Sequence, residues 1–218
     1  MDLYTSSIPA SDLISELRRA VIDGNYAPGE RLSEQKVADE LGVSRNSLRE
    51  AFQALVEQGL VERIPNRGVS VVEPSMSDII DIFRMRRVVE PAVIREANPV
   101  HPALAMAQSA VDDGQEGIEQ EDWRAVGTAN MNFHLALVRL SDSPRLVHAF
   151  RNLMAVLRLV FLRMEQAEQL HRPFVELNQE ILECIRTKEQ DTAAELMQRY
   201  LDTSEETLLT AYMRKGFD

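Results

Sequence analysis

The chain has 218 residues, of which 44% are hydrophobic, and a formal net charge of -11 at pH 7. This length and composition predict one ordinary hydrophobic core and a smaller second one, so we expect two domains. No apolar run is long enough to span a bilayer, and residues 1–7 have neither the basic nor the apolar region of a signal peptide. We therefore expect a cytoplasmic protein without a membrane partner.

Residues 32–72 predict two short helices followed by a β-hairpin, which is the layout of a winged helix-turn-helix. Ser33 is placed to cap the first helix and Gly42 suits its C-terminal end. The chain then turns, and Ser44 is placed to cap the second helix. The side chains expected to face inward from the first helix are Val37, Ala38 and Leu41.

The second helix has the pattern of a recognition helix. Arg45 and Arg49 stand one turn apart near its N-terminus, on a face other than the apolar stripe. Guanidinium groups in the first turns of such a helix are placed to touch base edges. An isolated arginine pair is more often a solvated helix face, but the surrounding pattern favours DNA contact. The stripe expected to be buried consists of Leu48, Phe52, Leu55 and Val56.

Two short alternating segments, 60–64 and 69–72, predict the strands of a wing with its turn at 65–68 and Arg67 at the tip. The acidic balance of the whole chain argues against a generic nucleic-acid binder. Basic side chains nevertheless concentrate in the predicted winged segment, whereas acidic ones crowd into residues 112–122. A local positive patch on an acidic body suits one specific duplex site and discourages non-specific adhesion.

Residues 13–72 resemble the N-terminal domain of the GntR family of bacterial transcription regulators. The motifs that carry the resemblance are Ala27-Pro28-Gly29-Glu30-Arg31-Leu32-Ser33-Glu34, Gly42-Val43-Ser44-Arg45, Leu48-Arg49-Glu50-Ala51, Gly59-Leu60-Val61 and Asn66-Arg67-Gly68. It implies that Arg45 and Arg49 contact guanines in a major groove and that the wing near Gly68 approaches the minor groove. The other expected DNA contacts are Gln35, Ser44, Asn46, Ser47 and Arg67. The family commonly has an arginine at the position of Gln35, so the contact made there brings no charge.

Beyond Pro74 the pattern is helical throughout, which predicts an all-helical domain over 78–218 after a winged domain over 1–74 and a hinge at 75–77. Ser77 or Asp78 is placed to cap the first helix of this domain, and residues 98–102 end it. Further helices are predicted at 103–120, 122–140, 145–169, 174–187 and 190–213, with Pro144 and Pro173 at helix starts. The predicted fold class is mainly α, a winged helix-turn-helix followed by an all-α bundle.

Four positions in these helices are polar where the periodicity requires an apolar side chain, and they are Asn130, His134, Asn178 and Tyr200. Each of them, taken singly, is more often a hydrogen-bonded core group than a ligand contact. Several such groups converging inside a helical bundle indicate a polar-lined pocket.

Residues 77–209 are similar to the C-terminal effector domain of the FadR-type branch of the same family, the FCD domain. The segments that carry this similarity are Arg86-Arg87-Val88-Val89-Glu90, Asn132-Phe133-His134-Leu135-Ala136-Leu137 and the helix from Ile181. Many members bind a divalent metal through one carboxylate and three histidines, and the similarity maps those ligands onto Asn130, His134, Asn178 and Tyr200. Only His134 is retained. Amide and phenol oxygens are weak substitutes, so we expect no cofactor and at most a weak metal at His134.

Arg86 is a candidate for holding an effector carboxylate, because its planar fork pairs with a carboxylate through two parallel hydrogen bonds. It is equally suited to an ion pair with Glu90 one turn on, and the sequence leaves both open. Residues expected to be surface or packing groups are His101, His148 and His171. The single cysteine, Cys184, excludes an internal disulfide and is interpreted as a small core residue.

Three functions remain open at this point. The first is a homodimeric regulator, a repressor by the resemblance, that reads an inverted repeat of double-stranded DNA and responds to a small molecule such as an organic acid. The second is the same DNA-binding protein with a helical domain that dimerises but senses nothing. The third, an enzyme, is disfavoured: the sequence lacks a second pocket histidine, a pocket carboxylate, a Gly-rich phosphate loop and a nucleophile paired with a base.

Overall fold

The structure is a computed structural model that describes residues 9–65, 67–164 and 167–216. It divides into two compact units, Met1–Pro74 and Ser75–Asp218. The first eight residues lie outside the described ranges, and the expectation about a signal peptide concerns these residues. Asn66 of the predicted wing turn also lies outside the described ranges. Within these ranges, the helices are all too short or too polar to cross a membrane.

The first unit is a winged helix-turn-helix. Its elements in chain order are α1 (Ala10–Ile22), β1 (Arg31–Leu32), α2 (Glu34–Leu41), α3 (Arg45–Glu57), β2 (Val61–Ile64) and β3 (Gly68–Val71). The strands form an antiparallel sheet in the order β1-β3-β2. Ser70 of the central strand β3 lies opposite Arg31 of β1 on one side and opposite Glu62 of β2 on the other. The core of this unit is built mainly from Leu13, Leu17, Val21, Leu48, Phe52, Leu55, Leu60, Val69 and Val71.

Both predicted caps of the helix-turn-helix are present. Ser33 accepts from the Lys36 amide, and Ser44 accepts from the Ser47 amide at 3.0 Å. Gly42 ends α2 in the left-handed region with φ 64°, where a side chain would be strained. The predicted buried stripe of α3 needs one change: Val56 is only half-buried, and Ala51 is fully buried.

The second unit is a helical bundle. Its helices are α4 (Met76–Arg95), α5 (Ala103–Glu119), α6 (Trp123–Arg139), α7 (Pro144–Leu162), α8 (Ala167–Arg186) and α9 (Gln190–Arg214). Helix α6 packs against α4, α5, α7 and α8, and α9 packs against α4 and α8. Helix α6 is therefore central, and its inward face meets side chains from several neighbours.

Three expectations about helix ends in this unit are wrong. The residue that caps α4 is Ser75, not Ser77 or Asp78, and it forms a capping box with Asp78. The segment 75–77, expected as a hinge, is therefore the cap and first turn of this helix. Helix α7 ends at Leu162 instead of 169. Pro173 lies inside α8 instead of at its start, because Leu170 and Phe174 continue the buried stripe across it.

Candidate functional site

The N-terminal end of α3 presents the two predicted base-reading arginines. The side chains of Arg45 and Arg49 are 55% and 51% exposed, and both approach the same carboxylate, that of Glu34 in the first turn of α2. Glu34 Oε2 lies 2.7 Å from Arg49 Nε and 3.9 Å from Arg45 Nη2. Glu34 thus joins the first helix of the motif to the second through its hydrogen bond to Arg49, and Arg45 lies near the same carboxylate.

The bond between Glu34 and Arg49 has a consequence for DNA recognition. It uses the Nε edge of the guanidinium, so the two terminal nitrogens lie outside it. A bidentate contact to a guanine can use two guanidinium nitrogens at once. The sequence gives no signal of this contact, because 15 residues separate Glu34 from Arg49.

The remaining predicted contacts lie around this helix end and on the wing. Ser44 and Ser47 bond to each other, Asn46 is exposed, and Gln35 donates from Nε2 to both carboxylate oxygens of Asp39 at 2.8 and 2.9 Å. Gln35 is therefore tied within its own helix, and a contact with DNA would have to replace or share that bond.

The wing places one further arginine that the sequence did not single out. Arg67 is exposed, and Gly68 has φ 90°, the left-handed region that lets the tip turn sharply. Strand β1 sets Arg31 alongside β3, and Arg31 Nε lies within 4.0 Å of the position a side chain on Gly68 would take. Arg31 belongs to one of the motifs that carry the family resemblance, but the sequence did not predict the short strand β1 that positions it.

In the helical unit, the four polar positions predicted from the periodicity lie in one hydrogen-bonded network. The hydroxyl of Tyr200 is 3.0 Å from His134 Nε2 and donates to Asn130 Oδ1 at 2.9 Å. Asn178 Nδ2 donates to the same Asn130 oxygen at 2.7 Å. His134, Asn178 and Tyr200 are buried and Asn130 is half-buried, so helices α6, α8 and α9 bring the quartet together inside the bundle.

Helix α4 adds a buried ion pair to this network. Arg86 Nε donates to Glu90 Oε1 at 2.7 Å, and His134 Nδ1 lies 2.5 Å from Glu90 Oε2. The side chains of Arg86 and Glu90 are 2% and 0% exposed. The four positions mapped from the family's metal ligands hold no carboxylate, but Glu90 of α4 brings one to the same network. Glu90, weighed only as a partner of Arg86, serves His134 as well.

The protonation states follow from burial and from these contacts. Burial by itself raises the pKa of Glu90, but Arg86, His134 and their hydrogen bonds outweigh it and lower the pKa below its ordinary value. Burial lowers the pKa of His134 below its ordinary value. Glu90 raises this pKa and the charge of Arg86 lowers it, and the net shift is downward. Glu90 is thus an anion and His134 is neutral at pH 7. Neutral His134 donates from Nδ1 to Glu90, which leaves Nε2 as an acceptor. The Tyr200 hydroxyl lies 3.0 Å from this nitrogen and has one proton, for which Nε2 and Asn130 Oδ1 compete.

Two polar atoms of this network have no hydrogen-bond partner among the described residues, Arg86 Nη2 and Asn178 Oδ1. Each is buried, one is a donor and the other an acceptor. A buried polar atom without a partner is costly, so such atoms commonly meet a ligand or a water. Arg86 therefore makes the ion pair with Glu90 that the sequence left open beside a ligand contact, and it still carries a free donor.

The three remaining histidines differ in their surroundings. His148 is exposed, and His101 Nδ1 accepts from the Ala103 amide at 3.0 Å near the start of α5. His171 is buried beside Arg158 and the ring of Phe161. Cys184 is half-buried and packs against the core.

Family comparison gives one model for each unit. The model described as bacterial regulatory proteins, gntR family, matches residues 9–71, and the FCD domain model matches residues 81–203. The chain belongs to the GntR family of regulators with an FCD domain. The resemblance and the fold class stated from the sequence are thereby confirmed.

Similar proteins are transcriptional regulators of the same kind. A crystal structure described as a GntR transcriptional regulator from Rhodococcus sp. RHA1 is 39% identical, with TM-score 0.89, over 93% of this chain and 98% of that one. The transcriptional repressor RspR of Escherichia coli is 28% identical over 88% of this chain and 85% of its own length. The regulator YdhC of Bacillus subtilis is 27% identical, and that match spans 61% of this chain and 60% of YdhC. The GntR-family chain is therefore a transcriptional regulator.

The residues of this FCD domain do not fit the divalent metal that many relatives hold. Within the described residues no group of three or more His, Cys, Asp and Glu side chains is placed to hold a metal ion. Two of the mapped positions supply amides and one a phenol, and these oxygens are weak substitutes for carboxylate and imidazole ligands. The Tyr200 hydroxyl also covers the Nε2 of His134.

Replacing Glu90 by glutamine should strongly destabilise the helical unit. The change leaves the guanidinium of Arg86 buried without a counter-charge, which costs about 3–5 kcal/mol. Chemical unfolding followed by the fluorescence of Trp123 measures this, because the chain has one tryptophan and it lies at the start of α6.

The matched control for that variant is Glu168→Gln. Glu168 forms an exposed pair with Arg172 at 3.0 Å with the same spacing of four residues, and its loss should cost less than about 1 kcal/mol. Equal unfolding free energies for the two variants would show that the buried pair is not needed to neutralise Arg86.

Proposed function

We propose that this GntR-family regulator is a repressor whose affinity for its operator is set by a small carboxylate bound in the helical domain. In this proposal Arg45 and Arg49 read base edges, with Gln35, Ser44, Asn46, Ser47 and the wing residues Arg67 and Gly68 contacting the duplex. Arg86, Asn130, His134, Asn178 and Tyr200 hold the effector. A protein that works on chromosomal DNA acts in the bacterial cytoplasm.

DNA recognition is supported by how the winged unit displays charge. Two half-exposed arginines stand at the N-terminal end of the recognition helix, and both lie near the carboxylate of Glu34, to which Arg49 is hydrogen-bonded. Side chains at the N-terminal end of such a helix are the ones placed to contact base edges. The exposed bond to Glu34 is weak enough to loosen when a guanine offers better acceptors.

The observation that carries the effector proposal is the unpartnered Arg86 Nη2 inside the bundle. Glu90 neutralises Arg86 through Nε, so the guanidinium stays charged while a donor remains free. A carboxylate of the effector would accept from that donor, and the unpartnered oxygen of Asn178 would accept from a hydroxyl or amine elsewhere on the molecule. A purely structural core would be expected to leave neither atom unsatisfied.

Ligand binding can act on DNA affinity by changing populations. The network joins α4, α6, α8 and α9, and an effector that inserts between Arg86 and Asn178 would favour one arrangement of these helices over another. In a dimer, such a shift would alter the spacing of two recognition helices and their fit to two half-sites. The helical domain would supply the dimer contact.

Alanine at Arg45 or Arg49 should weaken binding to a duplex selected from a random library by about 1–3 kcal/mol and relax discrimination at one base per half-site. The reason is the loss of a guanine contact while the fold stays intact. Fluorescence anisotropy with labelled duplexes measures it. Arg172→Ala changes net charge equally in the helical unit and should bind like the unmodified protein; wild-type affinity in both arginine variants would refute the assignment.

The protein should be a two-fold dimer at micromolar concentration. One winged unit contacts few base pairs, and joining two of them raises affinity through effective concentration. Sedimentation velocity with and without a two-half-site duplex tests this. A monomer under both conditions contradicts the proposal.

Purified protein should carry no stoichiometric zinc or nickel, and a chelator should leave its thermal unfolding unchanged. The donor set around His134 lacks the carboxylate and the second imidazole that hold such ions tightly. Elemental analysis together with unfolding in excess chelator provides the measurement. About one metal per chain, lost in a His134→Gln variant, would contradict it.

A further inference from the structure

A second buried polar cluster lies one helical turn from the quartet, around Gly127 of α6. Arg158 of α7 and His171 of α8, both 3% exposed, close over this glycine from two sides. Arg158 Nη2 donates to the carbonyl oxygen of Arg124 at 3.1 Å. Neither Arg158 nor His171 belongs to the network of the quartet described above.

Gly127 is what lets these two side chains approach the helix. A methyl group built on Gly127 would overlap Arg158 Nη1 and stand 2.8 Å from His171 Nε2. The absence of a side chain at this one position therefore creates the space in which both polar groups sit against α6. His171 Nε2 faces the helix, and its Nδ1 is buried with no hydrogen-bond partner among the described residues.

The chemistry of His171 suits recognition of a ligand. Burial, together with the charge of Arg158, lowers the pKa of His171 to about 4, so the imidazole is neutral at pH 7. A neutral imidazole can offer Nδ1 as either donor or acceptor. Beside it, the guanidinium of Arg158 stays positive.

Helix geometry places this cluster in line with the proposed effector site. Gly127, Asn130 and His134 follow one another at spacings of three and four residues, so they share one face of α6. Seven residues advance about 10 Å along a helix. The unpartnered buried atoms of Arg86, Asn178 and His171 belong to helices α4 and α8, and both of these helices contact α6.

We propose that the effector site extends to Arg158 and His171, and that its ligand is an elongated organic acid with an anionic group at each end. One carboxylate meets Arg86 Nη2, and the other meets His171 Nδ1 beside Arg158. The chain between them passes Asn178 Oδ1, which accepts from a hydroxyl if the ligand has one. This inference rests on the proposed function of the helical domain and adds the length and charge of the effector.

The test uses full-length protein and two series of commercial acids. The linear dicarboxylates from succinate to pimelate are compared with monocarboxylates of equal carbon number by calorimetry, and Trp123 fluorescence follows the helical unit. We expect one dicarboxylate length to bind about tenfold tighter than its monocarboxylate partner, since a second charge-assisted hydrogen bond forms. No preference for a dicarboxylate at any length overturns the inference.

Variants separate this inference from the function on which it rests. Leucine at His171 removes Nδ1 and should abolish the dicarboxylate preference while monocarboxylate binding persists. Asparagine at His171 supplies a polar atom near the position of Nδ1 and should restore part of the preference, which also controls for misfolding of the leucine variant. Arg86→Lys should weaken both series, because lysine lacks the planar fork.

The outcomes are distinguishable. If the preference survives both His171→Leu and Gly127→Ala, the second anionic end lies elsewhere and this inference is wrong while the effector proposal stands. If neither series binds the unmodified protein, or if Arg86→Lys changes neither series, carboxylate sensing through Arg86 itself fails.

Discussion

The buried ion pair between Arg86 and Glu90 is the constraint on which the helical domain depends. Removing two charges from water costs several kcal/mol per ion, and a well-packed apolar pair of similar volume often gives equal or greater stability. Stability alone therefore does not account for charged side chains at these positions. Arg86 also retains a buried donor beyond the pair, which is the observation that supports the proposed role in effector binding.

Glu90 connects this pair to the rest of the network by using its two oxygens differently. One oxygen neutralises Arg86, and the other fixes His134 through Nδ1. The orientation of His134 in turn sets Tyr200, whose hydroxyl spans the distance to Asn130. The family resemblance maps the metal ligands of relatives onto the quartet of Asn130, His134, Asn178 and Tyr200. In this chain those four side chains form hydrogen bonds with one another.

The sequence predicted the quartet of Asn130, His134, Asn178 and Tyr200 because each is a polar residue in a helical stripe whose other members are apolar. Helix caps at Ser33 and Ser44 were predictable for a similar reason, since they depend on residues within one turn. Of the two contacts made by Glu90, the sequence indicated only the one with Arg86, which lies four residues away. The contact with His134 spans 44 residues and depends on the packing of α4 on α6, which the sequence does not show. The predicted helix start at Pro173 was wrong because a proline can also lie inside a helix when tertiary packing stabilises the helix on both sides of it.

Comparing the Glu34–Arg49 contact with the Glu90–Arg86 contact shows how exposure decides what an ion pair can do. Glu34 and Arg49 are partly open to solvent, so their bond contributes at most about 1 kcal/mol and can be exchanged for a DNA contact at little cost. Glu90 and Arg86 are closed off, and separating them would expose each to a large desolvation penalty. Under the proposed function, an effector would therefore add to Arg86 without displacing Glu90. Its signal would then come from what the ligand joins across the bundle, not from breaking the pair.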